Sequence, residues 1–165
     1  MARSRAAVVA CAAVLLGSIS GGWWLAGHAP RPIPGIVTRT IDGDTVVVRT
    51  DAGKELTIRL LGVDTPETHK PHTPVQCYGP EASNYTHARL QGRRIRLEYD
   101  VERHDVYGRT LAYVLLDGRR FNDELLRLGY ARLLVIPPNG AHARTMLGEM
   151  ILARNARRGL WGACG

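Results

Sequence analysis

The chain has 165 residues, which is enough for one ordinary domain with a short appendage and excludes two large domains. With 45% hydrophobic and 22% charged residues, it is neither a disordered chain nor a protein that crosses a membrane many times. Its 22 basic residues outnumber its 15 acidic ones, so the net charge is +7 and polyanions are the expected partners.

Residues 1–29 are predicted to be an export segment that is separate from the fold. Arg3 and Arg5 precede an uncharged run at residues 6–27, as in a signal peptide or a membrane anchor. As a helix the run would be about 33 Å long, which favours an uncleaved anchor, whereas its glycines and serines favour a cleaved signal. In both cases we expect the remainder to be exported, either secreted or anchored to the outer face of the membrane, with membrane contact only through residues 6–27.

A proline-rich tether at residues 30–35 is expected to connect this segment to a domain at residues 36–165. Prolines at alternate positions of the tether favour a stiff, extended chain. We expect the domain to be a monomer.

Cys77 and Cys164 are the two cysteines that follow the export segment. In an oxidising compartment an even pair is more often bridged than free, so we predict a disulfide between them. The alternative is two unrelated thiols.

Three β-rich segments open the domain. Residues 36–41, 45–50 and 54–61 are rich in Val, Ile and Thr, and the short connections between them contain Asp-Gly and Asp-Ala-Gly. These connections are typical of hairpin turns, so the pattern predicts a three-stranded antiparallel meander.

The rest of the domain mixes helices and strands. Prolines in a polar stretch predict an exposed loop at residues 68–76. The elements predicted after it are a helix at 80–91, strands at 94–99 and 111–116, a helix at 121–128 ended by Gly129, and a helix at 141–157. Five strands with helices indicate an α+β, mainly β domain: a five-stranded Greek-key barrel of the oligonucleotide-binding type with helices packed on it.

Residues that could carry chemistry are concentrated in three short runs, at 41–45, 59–67 and 105–109. Each run by itself is typical of a turn. Together they supply carboxylates and two arginines at strand ends, and these are the groups that phosphodiester hydrolysis requires: cations face the charge on phosphorus, and a base or a metal activates water. Oxygen donors without a His or Cys partner favour calcium or magnesium.

Four motifs resemble those of the staphylococcal nuclease (thermonuclease) family, in the same order and at similar spacing. They are DGDT at 42–45, RLLGVDTPE at 59–67, YGPEAS at 78–83 and YGR at 107–109. The resemblance covers residues 36–161 and implies an oligonucleotide-binding barrel with three helices. It further implies a calcium-dependent nuclease that cuts DNA and RNA, with single-stranded or denatured substrate preferred, and leaves 3′-phosphate ends. The alternatives are a non-catalytic nucleic-acid-binding module on the same barrel and a different metal-dependent phosphodiesterase.

The resemblance also implies a metal site. Asp44 and Asp64 would give carboxylate oxygens to Ca²⁺, and Thr65 would give its backbone carbonyl. All three donors are hard oxygens, which suit calcium.

Four further residues take implied roles in binding and catalysis. Glu67 would orient or deprotonate the attacking water, and Arg59 and Arg109 would contact the phosphate and stabilise the transition state with a bidentate geometry that lysine cannot reproduce. Tyr107 would contact the terminal phosphate of the bound nucleotide.

The sequence departs from the family pattern at the nucleotide-binding positions. Val106 stands where family members have a lysine, and Leu134 and Ile136 replace the two tyrosines that flank the base. Because aromatic stacking contributes about 1–3 kcal/mol per base, we expect binding of single strands to depend more on backbone charge.

Overall fold

The structure, a computed structural model, describes residues 31–68 and 74–164. The predicted export segment, Pro30 of the tether and the middle of the predicted loop, residues 69–73, lie outside the described residues. Within the described ranges, no helix is both long enough and apolar enough to span a membrane.

The described part of the chain contains eight strands and four helices. The strands are β1 (Ile33–Asp42), β2 (Thr45–Thr50), β3 (Glu55–Leu60), β4 (Gly62–Asp64), β5 (Arg94–Glu98), β6 (Thr110–Leu116), β7 (Arg119–Arg120) and β8 (Arg132–Leu134). The helices are α1 (Gly79–Leu90), α2 (Phe121–Leu128), α3 (Ala143–Asn155) and α4 (Leu160–Ala163).

Five strands form a closed barrel. They pair in the order β3-β2-β1-β5-β6, and parallel pairing of β3 with β6 closes the ring. All other barrel pairs are antiparallel, including the predicted meander of β1, β2 and β3. Closure leaves no free edge among these strands. The predicted five-stranded α+β barrel with three principal helices is therefore confirmed.

The core lies inside the barrel and under the helices. In β2 and β5, alternate side chains point inward and are completely or almost completely buried, among them Val46, Val48, Ile95 and Leu97. Leu125 and Leu126 of α2 belong to the same core. Burial of such a side chain stabilises the folded state by about 1.5–3 kcal/mol relative to exposure. The barrel is therefore a stable support for the loops that connect its strands.

Local sequence signals set the helix ends. Proline occupies the first turn of α1, where its missing N–H costs no hydrogen bond. Gly129 ends α2 with a φ of 76°, a left-handed conformation that glycine adopts without strain. Both helices match the predicted bounds closely, and α3 is two residues shorter than predicted at each end.

The first strand starts inside the predicted tether, which corrects that boundary. Ile33, Pro34 and Gly35 pair with β5, so they belong to the barrel and the domain begins three residues earlier than expected. An extended proline fits the start of a strand, where a missing ladder hydrogen bond is tolerated. A side chain at Gly35 would come within 2.7 Å of a Val48 methyl, so glycine allows the close approach of β1 to β2.

The disulfide expected from the sequence is present in the structure. Cys77, just before α1, is bonded to Cys164, just after α4, with the two Cα atoms 5.9 Å apart. The bridge connects the end of the described chain to the segment that leads into α1.

Candidate active site

One open cleft on the outside of the barrel contains both candidate arginines and Tyr107, whereas Asp44, Asp64, Thr65 and Glu67 are not among the residues that line it. Its volume is about 340 Å³, and it lies beside the end of β3, β4 and the loop that precedes β6. Arg59, Tyr107, Arg109, Leu134 and Ile136 all line it. Two arginines from distant parts of the sequence therefore face the same space.

Arg59 is held firmly at the end of β3. Its side chain is 14% exposed, and one terminal nitrogen, Nη1, donates to the carbonyl oxygens of Leu60 at 2.9 Å and Val63 at 2.7 Å. The turn between β3 and β4 presents these carbonyls, and Gly62 enables that turn with a φ of 73°. The guanidinium orientation is therefore set by the backbone.

The other terminal nitrogen of Arg59 brings two carboxylates together. Nη2 lies 3.2 Å from Oδ2 of Asp44 and 3.3 Å from Oδ1 of Asp64. Asp44 lies in the turn between β1 and β2, whereas Asp64 ends β4 and has an exposed side chain. Antiparallel pairing of β2 with β3 places Thr45 opposite Arg59, and this brings the β1–β2 turn to the same cation as the end of β4.

Asp44 is buried and its carboxylate is fully hydrogen-bonded. Oδ1 accepts from the Thr45 hydroxyl at 3.1 Å, and Oδ2 accepts from the backbone N–H of Thr65 at 3.0 Å and from its hydroxyl at 3.1 Å. Asp44 thereby ties the β1–β2 turn to the start of the segment that contains Glu67.

Gly43 is required by this packing. A Cβ at residue 43 would lie 2.7 Å from the Thr65 hydroxyl oxygen and 2.9 Å from two of its carbons. The Gly43 carbonyl also accepts a hydrogen bond of 2.7 Å from the buried Thr86 of α1. The turn is thus fixed between the barrel and the first helix.

Glu67 lies in the segment after β4, half-buried. Its backbone N–H donates to the side-chain carbonyl of Gln76 at 3.0 Å, and its own carbonyl accepts from the Gln76 N–H at 2.9 Å. The next residue, Thr68, donates its hydroxyl to buried Asp42 at 2.9 Å. The segment that carries Glu67 is therefore pinned on both sides.

Arg109 is positioned by Asp105 in the loop before β6. Asp105 Oδ2 accepts from Arg109 Nε at 2.7 Å, while Oδ1 accepts from the backbone N–H groups of Tyr107 and Arg109 at 3.0 and 2.9 Å. Because the ion pair uses Nε, it leaves both terminal nitrogens of Arg109 without a hydrogen bond among the described residues. Burial by itself would raise the pKa of Asp105, but the hydrogen bonds from Arg109 outweigh it and lower that pKa.

Val106, Leu134 and Ile136 form an open, apolar wall of the cleft. Ile136 is 62% exposed and Val106 is 93% exposed, and Tyr107 is 82% exposed with its ring 5.5 Å from the Arg109 guanidinium carbon. Leu134 and Ile136, which stand in place of the two tyrosines of the family pattern, line the same cleft as the arginines.

Three residues that support the site were not assigned a role by the sequence analysis. They are Asp105, Gln76 and Asn122. Asn122, at the start of α2, is completely buried; its side chain accepts a hydrogen bond from the Val114 N–H at 2.9 Å and donates one to the Leu61 carbonyl at 2.8 Å. Asn122 thereby fixes the β3–β4 turn that orients Arg59. Its sequence context is typical of an ordinary helix start, so no local signal marked it.

Two of the three expected metal donors, the carboxylates of Asp44 and Asp64, lie close together. Within residues 31–68 and 74–164, no group of three or more His, Cys, Asp and Glu side chains is arranged to hold a metal ion. The expected set needs only two carboxylates, Asp44 and Asp64, with the Thr65 carbonyl as third donor. Both carboxylates converge on one cationic nitrogen, that of Arg59, and all the expected donors are hard oxygens, which is the donor type that calcium binds.

Comparison with known proteins gives consistent matches. The family model described as staphylococcal nuclease homologue matches residues 57–163. The chain is 46% identical to a thermonuclease of Staphylococcus hyicus over 125 residues, which cover 76% of this chain and 73% of the relative. It is 55% identical over 104 residues to a thermonuclease of Staphylococcus intermedius, covering 63% and 61%, and 40% identical over 129 residues to endonuclease YncB of Bacillus subtilis, covering 77% and 61%.

Proposed function

The chain belongs to the staphylococcal nuclease homologue family, and from this premise we propose that it is an exported, calcium-dependent nuclease that hydrolyses phosphodiester bonds of DNA and RNA. The observation that carries the proposal is the cleft in which Arg59 and Arg109 face the same space, while Asp44 and Asp64 meet at Arg59. Two guanidinium groups beside clustered carboxylates are suited to a phosphodiester and its transition state.

The reaction follows from the proposed roles of these side chains. Glu67 accepts a proton from water, and the water oxygen forms a bond to phosphorus. Arg59 and Arg109 offset the negative charge that develops on the phosphoryl oxygens. The bond from phosphorus to the 5′ oxygen breaks, the 5′ oxygen takes a proton from solvent water and leaves as a hydroxyl, and the other product carries a 3′-phosphate.

Asp44, Asp64 and the Thr65 carbonyl are the proposed calcium ligands. Calcium bound there would neutralise charge on the phosphate and favour ionisation of a nearby water. The Thr65 N–H and hydroxyl both donate to Asp44, which supports the proposal because two of the three residues that would supply ligands are held next to each other.

Tyr107 and the apolar wall are proposed to bind the nucleotide. Tyr107 is exposed at the mouth of the cleft beside Arg109, where its hydroxyl can reach a terminal phosphate. Unpaired bases can approach this open cleft more readily than a duplex can, so we propose that single-stranded or denatured nucleic acid is the preferred substrate.

Export is proposed from the N-terminal segment and from the disulfide. Structural disulfides persist in oxidising compartments, and Cys77 is bonded to Cys164. The proposed location is therefore outside the cell, secreted or held at the membrane by residues 6–27, with the domain as a monomer.

A cleavage assay tests the proposed function. Purified protein is incubated with heat-denatured DNA and with RNA, in calcium or in the calcium chelator EGTA, and the product ends are identified with a 3′-phosphatase and a polymerase. We expect cleavage only with calcium, and products that a polymerase extends only after phosphatase treatment. Binding without cleavage would instead indicate the non-catalytic module, and cleavage in the chelator would contradict the cofactor.

A further inference from the structure

Gln76 makes a reciprocal pair of hydrogen bonds with the backbone of Glu67. The side-chain oxygen of Gln76 accepts from the Glu67 N–H at 3.0 Å, and the Gln76 N–H donates to the Glu67 carbonyl at 2.9 Å. Both backbone polar groups of Glu67 are therefore held by one residue that lies nine positions further along the chain.

The start of α1 packs directly against the same backbone. A Cβ at Gly79 would lie 2.9 Å from the Glu67 carbonyl oxygen and 3.1 Å from that of Pro66. The Gly79 N–H donates to the Gln76 carbonyl at 3.0 Å, so Gln76 and the helix start form one unit. Only glycine permits this distance between the helix and the segment that carries Glu67.

The disulfide ties this unit to the rest of the domain. Cys77 immediately follows Gln76, and its partner Cys164 follows α4. The α4 helix is anchored in turn, because the Leu160 N–H donates to the carbonyl of Gly129 at 2.9 Å and the Leu160 side chain is buried. A rigid path therefore leads from the end of α2, through α4 and the disulfide, to Gln76.

We propose that Gln76 and the Cys77–Cys164 disulfide form a clamp that positions Glu67 for catalysis. The proposal rests on the proposed function, in which Glu67 acts on the attacking water. Gln76 is a positioning residue, since it contacts Glu67 through the backbone. Misplacement of a reacting group by about 1 Å can cost about 10²-fold in rate, so the clamp acts on turnover and leaves substrate binding by Arg59 and Arg109 unchanged.

Gln76→Ala removes the side-chain half of the clamp. We expect kcat to fall about 10- to 100-fold with KM within twofold of the wild-type value. Gln76→Glu keeps an acceptor oxygen and should retain most of the turnover. The matched control is Gln91→Ala, because the Gln91 side chain also bonds backbone groups, at Thr40 and Thr38, outside the cleft. This control should keep the wild-type kcat.

A second set of variants tests the clamp independently of the proposed function on which it rests. In a Glu67→Gln background, Gln76→Ala should cause no further loss of kcat, because there is no base left to position. Wild-type turnover by Glu67→Gln alone would contradict the proposed function. If Glu67→Gln is impaired but Gln76→Ala keeps a kcat within twofold of the wild-type value, only the clamp is contradicted.

The disulfide is tested by the double variant Cys77→Ser/Cys164→Ser at a low temperature where circular dichroism shows it to be folded. We expect a lower kcat with unchanged KM and faster hydrogen exchange at the Glu67 amide. If the double variant does not fold, the same exchange measurement on folded Gln76→Ala decides the question. Exchange at the Glu67 amide equal to that of the wild type would overturn the clamp.

Discussion

Arg59 and Arg109 line the same cleft and are held by different partners. Backbone carbonyls hold one terminal nitrogen of Arg59, whereas a carboxylate holds Nε of Arg109. Arg109 therefore keeps both terminal nitrogens available to bind two phosphate oxygens at once, whereas the second terminal nitrogen of Arg59 is shared with the carboxylates of Asp44 and Asp64.

Replacement of either arginine by lysine should therefore impair turnover while charge is conserved. We expect Arg59→Lys and Arg109→Lys each to lower the rate of cleavage of denatured DNA by a factor on the order of 10²–10³. Initial rates at saturating substrate measure the effect. The control is Arg49→Lys, at the exposed position of the otherwise buried strand β2, which should keep the wild-type rate. Losses below about tenfold at both positions would contradict the assigned roles.

The apolar wall is expected to limit base stacking. Ile136→Tyr adds an aromatic ring beside Arg109 in a position that is 62% exposed, so the ring can be accommodated without repacking the core. We expect binding of a single-stranded oligonucleotide to strengthen by about 1–3 kcal/mol, measured by titration in calcium with the inactive Glu67→Gln protein as host. An unchanged or weaker affinity would show that bases do not bind against this wall.

At the scale of single residues, the sequence predicted which groups meet but not how they are held. Asp44, Asp64 and Arg59 were expected to act together, and they lie within ion-pair distance; their catalytic and metal-binding roles stay predictions. Asn122 and Gln76 could not be recognised from the sequence, because their importance depends on hydrogen bonds to distant residues. Asn122 bonds to Leu61, 61 positions earlier in the chain, and Gln76 bonds to Glu67, nine positions earlier.

At the scale of elements, long periodic segments were predicted well and short ones were missed. The strands of the meander and the helices α1 and α2 carry strong alternation, turn and capping signals. In contrast β4, β7, β8 and α4 have two to four residues each. Segments this short show no measurable periodicity of hydrophobic residues, so their secondary structure depends on the partner that they pair with in the fold. For example, β4 is a strand because it pairs with β8. The early start of β1 has the same cause, since β5 provides its partner.

The disulfide is the element-scale feature with the largest expected effect on stability. It links residues 87 positions apart, and closing a loop of that size contributes up to about 4–5 kcal/mol in the chain-entropy description. We expect Cys77→Ser/Cys164→Ser to lower the free energy of unfolding by as much as this amount, measured by urea denaturation. Wild-type protein treated with a reductant should match the variant. A loss below about 1 kcal/mol would indicate that the bridge does not constrain the unfolded chain.

For the molecule as a whole, three carboxyl groups set the response to acid. Burial would raise the pKa values of Asp100, Asp105 and Glu124, but hydrogen bonds outweigh it and lower all three. For Asp100 the donors are the Ala141 N–H and the Tyr113 hydroxyl, and for Glu124 they are Arg89 and Tyr85.

A carboxyl group whose pKa is lower in the folded state than in the unfolded state stabilises the fold at pH values above its unfolded-state pKa. This stabilisation is lost as the pH falls through the folded-state pKa. The ordinary values are 4.5 for Glu124 and 3.8 for the two aspartates. We therefore expect the free energy of unfolding to decrease as the pH falls below about 4.5, measured by urea denaturation between pH 7 and pH 3. Glu124→Gln should reduce this dependence on pH, and a constant stability down to pH 3 would contradict the assignment.

The central claim is that Glu67 acts on water beside a cation-rich phosphate site. The most direct test is the single-turnover rate of cleavage of denatured DNA in saturating calcium by the wild-type protein and by Glu67→Gln, with exposed Glu81→Gln of α1 as the matched control. We expect the rate of Glu67→Gln to fall at least about 10²-fold, in the range of general acid–base catalysis, with unchanged substrate affinity, and we expect Glu81→Gln to keep the wild-type rate. Cleavage by Glu67→Gln at the wild-type rate would contradict the claim.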